Sequence, residues 1–270
     1  YPWGGLVLDE AQAVKNPRSK AHQALLEVEA PWRLAVTGTP VENSVMDVWS
    51  LYRIVAPGLL PGRTRFVQRF RTPIEVHGDA EALDRLRQRY APVLCRRTKE
   101  QVAADLPEKT EQVGTVDLYD DHRALYDTYL ARERQRLLSL LDDVDGNRLS
   151  ILRGLTMLRL LSLDSALVKG VGEAPSAKTD YLVDQVNELV AAGHSALVFS
   201  QFTSYLGRVG ERLTQEGIAY AYLDGKTTDR DGQIERFRSG EVSVFLMSIK
   251  AGGVGITLTE ADYVFLLDPW

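Results

Sequence analysis

The feature that most constrains the fold is a change of rhythm after about residue 178. From there, short apolar runs alternate with amphipathic helical stretches: helix 179–192, strand Ala196-Leu197-Val198-Phe199, helix 203–216, strand 218–223, helix 229–238, strand 242–247 and strand 264–267. Apolar runs of this length with no in/out alternation are buried on both faces. Strands separated by helices form βαβ units, so this third of the chain is predicted to be a doubly wound α/β lobe with a parallel sheet. The first 40 residues repeat the rhythm in miniature. Strand 5–8 runs into Asp9-Glu10, a helix covers 17–29 with Pro17 in its first turn, and strand 32–36 ends at Thr37-Gly38-Thr39-Pro40.

Between these ends the pattern is helical. Residues 44–105 are read as helix with an excess of positive charge: eleven Arg and Lys against five Asp and Glu between 50 and 100, a net of +6. Residues 110–118 alternate as a strand does. Residues 120–163 are a leucine-rich helical stretch with a break expected at Asp145-Gly146-Asn147, and residues 164–177, with Gly170, Gly172 and Pro175, read as a linker. The predicted division is 1–118 for the first lobe with a helical insertion at about 44–108, 119–177 for a helical protrusion and linker, and 178–270 for the second lobe.

Composition narrows the chemistry. With 270 residues, 44% of them hydrophobic, the chain can bury a core without staples. Its single cysteine, Cys95, excludes a disulfide framework and paired-cysteine zinc sites, and fits a reducing intracellular compartment, cytoplasmic or nucleoid-associated. Cys95 itself is read as a buried small hydrophobe, and Trp3, Trp32 and Trp49 as packing residues. The histidines at 22, 77, 122 and 194 form no ligand motif. No apolar run reaches the ~18 residues of a membrane span, so no membrane partner is expected. A net charge of −5 makes any nucleic-acid surface a local one. The opening YPWGGLVLDE and the closing LLDPW lead to the expectation of a piece cut from a longer protein.

Leu6-Val7-Leu8-Asp9-Glu10 carries the sharpest chemical signal. In phosphoryl transfer, an aspartate at a strand end helps hold Mg²⁺ on the nucleotide phosphates, and a neighbouring glutamate orients the attacking water. The plain reading of the same residues is negative charge favoured at a helix N-terminus. Neither glycine-rich candidate makes a phosphate loop. Gly225-Lys226-Thr227 lacks the glycine that the pattern needs at 220, where Tyr220 stands; Gly58 to Thr64 is one residue short and has Arg63 for the lysine. Ala251-Gly252-Gly253-Val254-Gly255, beside Ser248 and Lys250, offers backbone amides for a phosphate or, equally, a tight strand–helix turn. The arginines from 53 to 97 read as a solvated face or a nucleic-acid surface.

In order along the chain, LVLDEAQAVKNPRSK, LAVTGTPVENSVMDVWSLYRIVAPGLLPG, LCRRTKEQVAADLPEKTEQV, ALVFSQFTSYL, YLDGKTTDRDGQIERF and FLMSIKAGGVGITLTEADYVFLLDPW resemble the motif blocks of a superfamily 2 helicase-like ATPase of the SWI/SNF (RapA-like, DEAQ-variant) group, from motif II to just past motif V. The resemblance implies an α/β fold of two RecA-like parallel-sheet lobes, the first only partial, with helical insertions between them. It implies ATP and Mg²⁺ as cofactors, with Asp9 holding the metal, Glu10 orienting water, and Gln12 with Thr37, Gly38 and Thr39 coupling nucleotide to DNA. Ser200, Gln201, Lys226, Thr227, Arg230, Ser248 and Lys250 are the implied contacts to the nucleic-acid backbone, and Gly252, Gly253 and Gly255 of motif V link them to the nucleotide. The implied partner is double-stranded DNA, with a DNA-bound protein complex as target. Gln12 stands where many relatives carry histidine, Thr257 where asparagine is frequent, and the loop around Asp229 is about two residues shorter than usual. The phosphate loop and the arginines of motif VI lie outside the 270 residues, so the isolated chain is expected not to hydrolyse ATP. A non-hydrolysing scaffold and a strand-separating helicase are the alternative readings.

Overall fold

A computed structural model describes residues 3–38, 44–102, 109–140, 144–253 and 255–269. Two compact units divide the chain, Tyr1–Lys109 and Thr110–Trp270.

In the first unit, β1 (Leu6–Leu8) pairs in parallel with β2 (Arg33–Ala35), Leu6 opposite Arg33 and Leu8 opposite Ala35. Between them runs α1 (Lys20–Glu27), whose N-terminus is capped by Ser19 accepting from the His22 amide. The two strands present Val7, Leu34 and Val36 to solvent, each about half exposed. Trp32 and Trp3 are also more than half exposed, though the Trp32 ring lies against Gly5; of the three tryptophans read as packing residues, Trp49 is the buried one.

The stretch read as one helical region from 44 to 105 is segmented. It comprises α2 (Val45–Val55), α3 (Arg63–Phe66), a π-helical turn over Val67–Arg71, α4 (Thr72–His77), α5 (Ala80–Tyr90) and α6 (Lys99–Val102). Gly78, at φ 65°, ends α4 in the left-handed region, and Asp79 caps α5 through the Ala82 amide. Trp49, Phe66, Phe70 and Leu86 form the core beneath these helices. Much of the arginine excess is consumed locally: Arg71 pairs with Glu75, Arg85 with Glu81 and Arg87 with Asp84. Arg53 lies over the Trp49 ring and Arg89 over Phe70. Cys95 is exposed rather than buried, because it sits in the irregular stretch after α5 and off the core-facing side of any helix.

Glu75 ties α4 to the start of α2. Its carboxylate accepts from Ser44 Oγ at 2.6 Å, the Val45 amide at 2.9 Å and Arg71 Nε at 3.0 Å. Burial pushes its pKa up, but these hydrogen bonds outweigh burial and hold it below the ordinary value. A carboxylate with a depressed folded pKa stabilises above its unfolded value and loses that contribution as pH falls through the folded one. Glu75→Gln is therefore expected to lower stability by roughly 1 kcal/mol near neutral pH, after allowance for solvent screening. Urea melts of both proteins across the acid range should converge as the pH drops below about 4, near the unfolded glutamate pKa.

The second unit begins without the strand expected at 110–118. These residues are irregular, and Val113 is 93% exposed. Alternation makes a strand only where an edge offers hydrogen-bond partners and a face to bury, and the segment has neither. Then come α7 (Asp120–Leu138) and α8 (Val144–Leu163). The break is not at 145–147: α7 ends at Leu138 and α8 begins at Val144, so residues 145–147 lie in the first turn of α8.

After α9 (Ala177–Ala191) the predicted alternation is realised: β3 (Ala196–Ser200), α10 (Thr203–Gln215), β4 (Tyr220–Leu223), α11 (Arg230–Arg238), β5 (Val244–Ser248), the short α12 (Ile249–Gly252) and β6 (Tyr263–Leu266). The sheet order is β4-β5-β3-β6 and every pair is parallel. The central strands β3 and β5 are covered on both faces, while the edge strand β6 is mostly exposed. Val198, Val244 and Leu246 pack with Leu206, Val209 and Leu213 of α10, while Leu197, Phe245 and Met247 pack with Phe237 of α11 on the other side. No described helix is long and apolar enough to cross a membrane.

Candidate functional site

In the first unit, the site grows from the end of β1. Glu10 is the one described non-glycine residue in the left-handed region, at φ 47° and ψ 49°. Holding a non-glycine residue there costs of order 1 kcal/mol, and such strain clusters at functional sites. The turn is fixed from both sides. The Glu10 amide donates to Asp9 Oδ1 at 2.9 Å, and the next residue, Ala11, is buried and donates its amide to the Val36 carbonyl at 3.0 Å. The glutamate side chain is aimed by a relay. Gln12 Nε2 donates to Glu10 Oε2 at 2.7 Å, and Gln12 Oε1 accepts from Thr37 Oγ1 at 2.6 Å. Thus the structure joins three sequence-predicted residues from two separate motifs in one hydrogen-bonded chain. Gly38 follows at the exposed end of β2, and Thr39 lies outside the described residues.

Asp9 and Glu10 both face solvent at the carboxyl end of a parallel strand, the side where α/β folds bind ligands. Mg²⁺ on a nucleotide keeps several waters and takes only one or two protein carboxylates besides the phosphates. One accessible aspartate fits that demand. Among the described residues no cluster of three or more acidic, histidine or cysteine side chains could hold a metal unaided.

In the second unit, parallel pairing brings the carboxyl ends of four strands to one edge; Ser200 and Ser248 end β3 and β5, and the other predicted site residues come after β3, β4 or β5. Gln201, Lys226 and Lys250 are exposed. Lys226 sits in a turn built by Asp224, whose carboxylate accepts from the Lys226 amide at 2.8 Å and from Thr227 Oγ1 at 3.3 Å. Ser248 is buried and caps α12 by accepting from the Ala251 amide at 3.3 Å. Arg230 Nη2 donates to the Ala251 carbonyl at 3.1 Å and Arg238 Nη2 to the Thr257 carbonyl at 2.7 Å, so two arginines of α11 grip the loop after β5. Gly252 lies against the Phe199 ring: a Cβ there would stand 2.7 Å from Phe199 Cε1, so a side chain would force the ring to shift. Gly255 is in the left-handed region at φ 65°, and Gly253 ends α12. Val254 lies outside the described residues.

Ser200 is placed differently from the sequence expectation. It is fully buried, and its hydroxyl donates to Asp268 Oδ2 at 2.5 Å. Both Asp268 oxygens also accept from the Gln201 amide, at 3.1 Å each. Ser200 therefore orients the turn that exposes Gln201, while its own hydroxyl is occupied. Sequence reasoning passed over Asp268; an acid directly after the last apolar run, the pattern already seen at Asp9, was the available signal. Burial lowers the pKa of the nearby Lys178 ammonium, and the Asp268 charge opposes that shift.

Comparison with known proteins agrees with this geometry. The family model described as an SNF2-related domain matches residues 1–166, and the helicase conserved C-terminal domain matches residues 177–270. The mouse chromodomain-helicase-DNA-binding protein 1-like is 32% identical over 99% of this chain and 31% of its own length; an uncharacterized ATP-dependent helicase of Mycoplasma pneumoniae is 32% identical over 98% of this chain and 25% of its own. The chain thus spans about a third or less of those two proteins. The SWI2/SNF2 ATPase core of Sulfolobus solfataricus, solved in complex with dsDNA, is 31% identical with a TM-score of 0.52 over all of this chain and 58% of that one; the same core without DNA gives 33% and 0.53. The architecture is accordingly that of RecA-like α/β lobes with helical additions. With one family model covering more than half of its length and a second covering the whole four-stranded sheet, this chain belongs to the SNF2 family.

Proposed function

We propose that the whole protein is an ATP-driven motor of the SWI/SNF type that moves along double-stranded DNA and remodels protein–DNA complexes, in a reducing, DNA-containing compartment. The observation that carries this reading is the Glu10–Gln12–Thr37 relay at the end of β1. A scaffold has no use for a carboxylate held in a strained turn and aimed by an amide. A hydrolase needs both, because phosphoryl transfer is governed by positioning.

Asp9 would hold Mg²⁺ together with the nucleotide phosphates, and the ion would supply charge neutralisation there. Glu10 accepts a proton from, and orients, the attacking water. Gln12 fixes the Glu10 carboxylate and links it to Thr37, so a shift of β2 is felt at the base. In the second unit, Gln201, Lys226 and Lys250 line the strand ends as donors to a phosphate backbone, with the Gly252–Gly255 loop beside them. Contacts of that kind track the backbone without reading sequence. The Sulfolobus core solved with dsDNA favours duplex as the track. The division 1–118, 119–177 and 178–270 belongs to the same proposal.

Lys250→Glu tests the DNA side. In the whole protein, half-maximal stimulation of ATP hydrolysis should move to about tenfold higher duplex concentration, with basal turnover little changed. The magnitude of the log-affinity against log-salt slope should fall by about 0.9, the loss of one phosphate contact. Unchanged stimulation and slope would remove Lys250 from the DNA surface; equal losses of basal and stimulated rates would place it on the nucleotide side.

A further inference from the structure

The 3-10 turn Ala11–Val14 carries Gln12, the residue that aims Glu10, and it is tied down at both ends. At its start the Ala11 amide donates to the Val36 carbonyl at 3.0 Å. At its end the Val14 carbonyl lies 2.9 Å from His22 Nδ1 in α1. Lys15, just beyond, reaches Asp47 of α2 at 3.5 Å. His22 is fully buried and is itself fixed on two sides. Its amide donates to Ser19 Oγ at 3.2 Å, and Ser50 Oγ of α2 lies 3.5 Å from Nδ1. A carbonyl can only accept, so Nδ1 carries a proton. Packing alone asks for an apolar side chain at a fully buried position of a helix. The imidazole adds one directed donor, and that donor is aimed at the turn that follows the acid pair.

We propose that His22 is a positioning residue for hydrolysis. Its Nδ1–H holds the Val14 carbonyl, which fixes the turn and so the reach of the Gln12 amide to Glu10 Oε2, 2.7 Å away. His22 acts through Gln12 and Glu10, so this role rests on Glu10 acting as the base. A carboxylate displaced by about 1 Å from the attacking water loses much of what positioning contributes to the rate. The loss is partial when His22 alone is changed, because Ala11 and Lys15 still hold the turn.

The test uses the whole protein with three substitutions at this one position. Asparagine places an amide nitrogen where Nδ1 stands, glutamine places one nearer Nε2, and leucine fills the space without a donor. H22L should lower kcat for ATP hydrolysis about tenfold while KM for ATP stays within about twofold. H22N should keep kcat within about threefold of wild type, and H22Q should fall with H22L. On the Glu10→Gln background H22L should cost less than about twofold, because a residue acting through Glu10 then has nothing left to position. Deuterium uptake in the segment 10–15, which does not depend on catalysis, should quicken in H22L and keep the wild-type rate in H22N. An H22L loss of the same size with and without Glu10, or glutamine serving as well as asparagine, would overturn the proposal. Near-normal turnover of Glu10→Gln alone would overturn the base reading and this role with it. Lost turnover there, with uptake unchanged in H22L, would overturn this role alone.

Discussion

Glu10→Gln in the whole protein is expected to lower kcat for ATP hydrolysis by ~10²–10⁴, the usual share of a general base. Affinity for ATP should change little. Glutamine keeps the size of the side chain and one oxygen that can still accept from Gln12 Nε2, so the relay to Thr37 stays in place. The backbone turn at φ 47° is held by the Asp9 carboxylate and by the Ala11 amide, neither of which is altered. What disappears is the negative charge and its capacity to take a proton from water. Phosphate release measured beside equilibrium binding of a fluorescent nucleotide separates the two. Near-normal turnover would show that Glu10 is not the base. Loss of binding in step with loss of turnover would assign Glu10 to the nucleotide's ground state instead.

Asp268→Ala should destabilise the second unit by about 3 kcal/mol, because it leaves a buried hydroxyl and a main-chain amide without their charged acceptor. A loss of that size lowers the melting temperature by roughly 6–12 °C in a unit of this size. Asp268→Asn, which keeps an acceptor oxygen for Ser200, should cost about half as much. Lys178 provides an independent readout. With the Asp268 charge gone, burial of the ammonium is less opposed, so its pKa should fall further below the ordinary lysine value. Calorimetry of the three proteins, with lysine titration by NMR, checks both statements. A melting temperature unmoved in Asp268→Ala would mean that water replaces the carboxylate and that the Ser200 turn is not built on it.

The legible part of this fold was the part dictated by local pattern. Helices and strands from residue 177 onward were readable because each apolar run is short and bounded by turn residues; Val244–Ser248 is buried along its whole length, whereas the edge strand Tyr263–Leu266 is mostly exposed. What failed depends on partners that a pattern does not name. Residues 110–118 alternate like a strand but meet no edge. Trp32, just before β2, lies against Gly5 yet stays half exposed, because the outer face of the strand pair beside it is open. Cys95 has a core-like side chain in a segment that never enters a core. The same distinction holds at the site. Asp9 and Glu10 were visible as residues, because an acid pair at a strand end has a local signature. The left-handed turn and the Gln12 bridge were not, because they come from packing β1 against β2. Ser200 was read from its neighbours as a surface contact, and only the arrival of Asp268 after β6, 68 positions later, turns it inward.

If the acid pair and the strand-end cations serve one DNA-dependent motor, the steady-state ATPase rate of the whole protein must answer to DNA; it is measured with no nucleic acid, with single-stranded DNA and with closed duplex DNA, at several salt concentrations. Duplex should stimulate turnover by about tenfold or more, less so as salt rises in the manner of backbone contacts, with the duplex strands left paired. Turnover indifferent to duplex, or stimulated by single strands alone, would contradict it.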